Sequence, residues 1–209
     1  RILLIHQDIY SETIDMICRA IQRLNIGSPI LPNTDIGPIV HKNKVKELHE
    51  YVEKFKENEQ VKFQANLKKE LRDDYFPPTL IELDSLDEIN EEQFGPIIHA
   101  MPFQGSNLKD LIIKIEEKGF ALTLGIHTRI DSKISEISDL TSTGNIYVNR
   151  DIVGATVESQ PFGGNNLSGT GFKAGGPNYL LQFVNEKTTS INTVAIGGNP
   201  DLLNKKSVT

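Results

Sequence analysis

The chain has 209 residues, enough for one sizeable core, so one domain carrying an arm is expected. With 38% hydrophobic and 24% charged residues and a net charge of −6, it has the balance of a globular domain and no basic stripe suited to nucleic acid. The single cysteine excludes an internal disulfide framework and suits a reducing compartment, so a cytoplasmic location is expected; no apolar run approaches the ~18 residues needed to span a bilayer.

Arg1 to Gln7 is apolar and β-prone and is expected to be a buried strand, too short for a signal peptide. A chain that starts inside a strand and without Met is expected to be a fragment. Asp8 or Ser11 is a candidate cap for a helix carrying Ile14, Ile17, Ile21 and Leu24, closed by Gly27 and Pro29. After the loop Asn33–Pro38, a second helix shows Val45, Leu48, Val52 and Phe55 on one face. Val61–Phe63 and Thr79–Glu82 are strand candidates, the latter behind the breaker Pro77-Pro78. Ile97–Phe103 reads as a strand interrupted or ended at Pro102. Leu108, Leu111, Ile112 and Ile115 mark a helix closed by Gly119, and Ala121–Ile126 a strand. Ile134, Ile137 and Leu140 suggest a short helix, and Asn145–Val148 the next strand. Thr188–Ala195 alternates in β-branched residues, before a tail from Gly197. This rhythm predicts an α/β fold: a mostly parallel open sheet with flanking helices, then a C-terminal strand. The boundaries are set at 1–187 for the main domain and 188–209 for the strand and tail.

From Arg150 to Pro177 the chain is dense in glycine. Three local motifs fail there. Gly169, Gly171 and Gly175 are spaced one residue too far for a dinucleotide fingerprint, Lys173 is followed by Ala174 rather than the Ser or Thr of a P-loop, and Ser168 lacks the preceding glycine of a nucleophile elbow. Ser168 is expected to hydrogen-bond within its own loop. On local chemistry alone the segment is a tightly packed surface loop.

As a whole string, Gln160-Pro161-Phe162-Gly163-Gly164…Ser168-Gly169-Thr170-Gly171 resembles the late signature of aldehyde dehydrogenases. Thr34-Asp35-Ile36-Gly37-Pro38, Pro78-Thr79-Leu80-Ile81, Glu91-Glu92-Gln93-Phe94-Gly95-Pro96, Leu122-Thr123-Leu124-Gly125 and Gly144–Asn149 resemble further motifs of that family, in the same order. Asn145–Arg150, Gly154-Ala155, Lys173–Pro177 and the Gly-Gly-Asn at 197–199 are similar to its proline-utilisation branch. There an L-glutamate γ-semialdehyde (1-pyrroline-5-carboxylate) dehydrogenase follows a flavin-dependent proline dehydrogenase in one polypeptide.

The resemblance implies NAD-dependent oxidation of glutamate semialdehyde to glutamate, with FAD only in the proline dehydrogenase part. Glu92 would bind the nicotinamide ribose, and Phe94 would lie beside the nicotinamide. Gly154 and Ala155 would cradle the substrate α-carboxylate with their amides, and Phe162 would wall its aliphatic chain. The nucleophilic cysteine, the base glutamate and the nucleotide-binding domain would lie upstream of Arg1. The chain alone is therefore expected neither to turn over aldehyde nor to bind NAD tightly. Thr188–Ala195 would add to a partner's sheet and make a homo-oligomer. Cys18, on a helix, reads as a small half-buried side chain. His6, His41, His49, His99 and His127 lack metal-ligand spacing. Asn149 and Arg150 are assigned no chemistry. Three alternatives stay open: an interaction module left by a split gene, an aldehyde dehydrogenase of other specificity, and an unrelated phosphate-binding α/β domain.

Overall fold

Strands buried on both faces read as unbroken apolar runs, and three here do so. In the computed structural model, which describes residues 1–153, 159–169 and 171–192, they are β1 (Ile2–His6), β3 (Thr79–Glu82) and β4 (Ile97–Phe103). With β2 (Val61–Gln64) they form a four-stranded sheet in the order β1-β4-β3-β2. β4 is parallel to both neighbours, and β2 joins antiparallel to β3. Successive side chains point to opposite faces, so each strand serves two cores. Ile81, Leu83 and Ile97 pack with Leu48, Val52 and Phe55 of α2 (Lys42–Lys56). Leu80, Ala100 and Ile5 pack with Ile14 and Ile21 of α1 (Tyr10–Gln22). Each large side chain so buried stabilises the fold by ~1.5–3 kcal/mol.

Pro102 does not end β4; it pairs with Ile5, and the strand runs on to Phe103. The His99 N–H donates to the Arg1 carbonyl on the β1 side. By alternation the nitrogen of position 102 faces the β3 side, where pairing has already stopped at Glu82 opposite Ala100. Proline's missing donor therefore costs no ladder bond. The α1 cap also differs from expectation. Its N-cap is Ile9, with no side-chain bond, because a 3₁₀ turn over Gln7–Ile9 comes first; there the His6 side chain accepts the Asp8 N–H at 3.3 Å.

The expected strand 121–126 is two strands. β5 (Phe120–Ala121) pairs antiparallel with β8 (Asn165–Asn166), and β6 (Thr123–Ile126) pairs parallel with β7 (Asn145–Val148). The change of partner breaks the run at Leu122. α3 (Leu108–Glu117) stops at Gly119, whose φ of +79° favours glycine. α4 (Asp131–Leu140) buries none of its residues fully. Thr188–Asn192 is not in a strand, and the rest of that expected strand lies outside the described residues. A β-prone run becomes a strand only beside a second edge.

Two compact units result: Arg1–Ile152 with Gly164–Gly169, and Val153–Gly163 with Thr170–Thr209.

Candidate functional site

Glu92 and Phe94 share the loop that leads into β4. Its far end is pinned to the core. A Cβ on Gly95 would stand 2.7 Å from the Leu48 side chain, so only glycine lets the loop lie this close. The Pro96 carbonyl accepts the Thr79 N–H at 2.9 Å, which ties the loop to β3. Gln93 turns inward and is buried, its amide donating to Glu91 at 3.0 Å. Its neighbours turn outward. The Phe94 ring is 66% exposed, and Glu92 meets the Arg1 guanidinium at 3.2 Å. Phe94 is thus a surface aromatic on a loop whose far end is pinned to the core.

Phe162 belongs to the second unit. It forms an antiparallel bridge with Ala174, with N–H···O distances of 3.1 and 3.0 Å, and is half-buried. A Cβ on Gly163 would stand 3.3 Å from the Lys173 Cα, and one on Gly176 would stand 3.0 Å from the Lys173 carbonyl, so the backbones lie close here. Gly154 and Ala155 lie outside the described residues. The five candidates are therefore divided: two share a loop of the first unit, one is in the second, and two are undescribed.

Ser168 departs from expectation. Its hydroxyl accepts the Ala121 N–H at 3.2 Å on β5, and only its backbone N–H stays within its loop, donating to Asn165. Gly164 is buried there, with room for a Cβ denied by Ser168 at 2.7 Å and the Ala121 carbonyl at 3.0 Å. Asn149, at φ +53°, accepts the Thr128 N–H and donates to the Thr128 carbonyl, so its carboxamide extends the β6–β7 ladder by one rung. Arg150 lies over the Tyr147 ring at 5.1 Å.

Cys18 is half-buried beside the α1 core, and burial, with Asp15 nearby, pushes its thiol up, away from a thiolate. Buried His99 is held at about 4 by burial; its Nδ1 reaches the Arg1 carbonyl at 3.0 Å and its Nε2 the Tyr51 hydroxyl at 2.9 Å. It is a neutral core histidine. Among the described residues no group of His, Cys, Asp and Glu could hold a metal, and no helix is long and apolar enough to cross a membrane. Two open clefts of the first unit, about 340 and 410 Å³, are lined by other residues than the five candidates.

The chain is similar to proteins of known family. The bifunctional protein PutA of Klebsiella aerogenes is 37% identical over 90% of this chain and 15% of its own length. The 1-pyrroline-5-carboxylate dehydrogenase of Bacillus subtilis (strain 168) is 33% identical over 89% of this chain and 36% of its own. A crystal structure of a proline utilization A (PutA) mutant from Bradyrhizobium japonicum superposes with a TM-score of 0.85 at 39% identity, covering 93% of this chain and 20% of that one. Aldehyde dehydrogenase 21 from Physcomitrella patens, at 23% identity and a TM-score of 0.72, shares the fold. The chain thus spans only a minor part of its relatives. The aldehyde dehydrogenase family matches residues 1–189, from β1 through the glycine-rich segment, and the chain belongs to that family.

Proposed function

We propose that the chain is the C-terminal part of the catalytic domain of an NAD-dependent dehydrogenase that oxidises L-glutamate γ-semialdehyde to L-glutamate in proline catabolism. The observation that carries this reading is the 91–96 loop. Gly95 and Pro96 are fastened to the core while a carboxylate and an aromatic ring are held outward. That arrangement fits a cofactor lying across it. An ionised carboxylate only accepts hydrogen bonds, so Glu92 suits the two hydroxyls of the nicotinamide ribose, and the Phe94 ring suits the face of the nicotinamide. When bound, NAD supplies the hydride acceptor.

This chain's other residues hold the substrate. The Gly154 and Ala155 amides cradle its α-carboxylate, and Phe162 limits the space for its aliphatic chain. The thiol that attacks the aldehyde and the glutamate that activates water lie in polypeptide preceding Arg1, as does a FAD-dependent proline dehydrogenase. The enzyme is cytoplasmic and assembles as a homo-oligomer through residues 188–195.

The test is NADH formation by the natural polypeptide containing this chain, against a panel of aldehydes. Glutamate semialdehyde should give the highest kcat/KM, and Glu92→Gln should raise KM for NAD by about tenfold, the loss of one charge-assisted hydrogen bond. Preference for an aldehyde without an α-carboxylate refutes the substrate assignment.

A further inference from the structure

The glycine-rich loop is fastened from outside by a polar chain that no motif above includes. It begins at Glu116, near the end of α3. One carboxylate oxygen accepts the Thr141 hydroxyl at 2.6 Å; the other accepts both the Ser142 N–H, at 2.9 Å, and the Ser142 hydroxyl. Ser142 then holds the loop. Its carbonyl accepts the Asn165 amide at 2.6 Å, and its hydroxyl oxygen accepts the Asn166 amide at 2.8 Å. Asn166 sits at φ +51°, a conformation that L residues other than Asn and Asp seldom adopt.

The direction of these bonds follows from the charge. An ionised carboxylate cannot donate, so the Ser142 hydroxyl must spend its proton on Glu116 and keep its lone pairs for Asn166. Burial would raise the Glu116 carboxyl, but the bonds from Ser142 and Thr141 outweigh it and hold the group below the usual carboxylate range, in its acceptor form. The rest of the loop is fastened by neighbours of Glu116: the Leu167 N–H donates to the Gly119 carbonyl at 3.0 Å, and Ser168 takes the Ala121 N–H.

We propose that Glu116 is the positioning residue of the glycine-rich loop at 164–169: through Ser142 its charge orients Asn165 and Asn166 and sets the conformation of that loop.

The experiment compares Glu116→Gln, Glu116→Ala and Ser142→Ala. In the 209-residue chain, the amides of Ala121, Leu167, Ser168 and Gly169 should exchange with solvent at least about tenfold faster in all three variants, with β3 and β4 unchanged. The near-isosteric Gln tests the charge, because it fills the same space but replaces an ionised carboxylate with a neutral amide that has one acceptor oxygen in place of two. Exchange unchanged in all three variants, or raised only in Glu116→Ala, overturns the proposal.

Discussion

The four-stranded sheet of the first unit and the described part of the second are both rich in apolar side chains, yet they use them in opposite ways. In the sheet, Leu80, Ile81 and Ile97 are almost wholly buried, and Leu48 beneath Gly95 is fully so. In the second unit, Leu180, Leu181, Phe183 and Val184 are all exposed, Phe183 at 69%. The difference lies in the backbone. A parallel ladder and two amphipathic helices line up apolar side chains on shared faces. A segment built on one bridge, Phe162 with Ala174, and a five-residue 3₁₀ helix, Tyr179–Phe183, has no face long enough to do so. Apolar content alone does not make a core; a periodic backbone must aim it.

The comparison can be broken at several points. The largest effect is expected for Leu48→Ala, which opens a cavity beneath the 91–96 loop. It should cost ~3–5 kcal/mol in urea unfolding, and a cost under ~1 kcal/mol would mean the α2 core is not where stability resides.

The pH dependence sharpens the same point. His99 is held at about 4 against an ordinary 6.5, so between these values the unfolded chain binds a proton that the folded chain refuses. Stability is full above about pH 6.5 and falls as the pH drops towards 4, by up to ~3 kcal/mol. His49, lowered by burial and by Lys56, adds in the same sense, and its replacement by Gln separates the two. A stability flat from pH 7 to 5 in the His49→Gln chain would contradict the buried neutral imidazole.

A smaller effect, ~1–3 kcal/mol, is expected for Gly164→Ala, whose methyl would collide with Ser168 and the Ala121 carbonyl. Thermal unfolding measures it, and Ser168→Ala should give no relief, because the Ser168 Cβ and carbonyl oxygen, both 2.7 Å from the added methyl, remain. The smallest effect belongs to the second unit. Phe183→Ala should change the stability of the 209-residue chain by less than ~0.5 kcal/mol, and a loss comparable to that of Leu48→Ala would erase the contrast.

The periodic elements were legible before any coordinates. Val45, Leu48, Val52 and Phe55 mark one helix face, and all four are buried. Leu122 could not be read as a break, because a change of strand partner leaves no local signal in a β-prone run. Pro102 misleads for a related reason, since its effect depends on which neighbour its nitrogen faces. At the candidate site, Glu92, Phe94 and Phe162 were found by resemblance to motifs, whereas the Glu116–Ser142–Asn166 chain was not. Its members are separated by 26 and 24 residues; Glu116 and Ser142 belong to no motif, and Asn166 is an unspecified position inside one.

The sequence by itself determined the apolar runs of β1, β3 and β4, the stripes of α1 and α2, and the ordered motifs that place the chain in its family. These are local patterns, and local sterics and side-chain polarity suffice to write them. Only the tertiary structure decided that Gly95 must yield to Leu48, that Ser168 serves β5, that His99 is neutral, and that a carboxylate at position 116 restrains a loop some fifty residues away. Each of those depends on which distant groups share a few ångströms, where desolvation and hydrogen-bond direction act, and no window along the chain contains both partners.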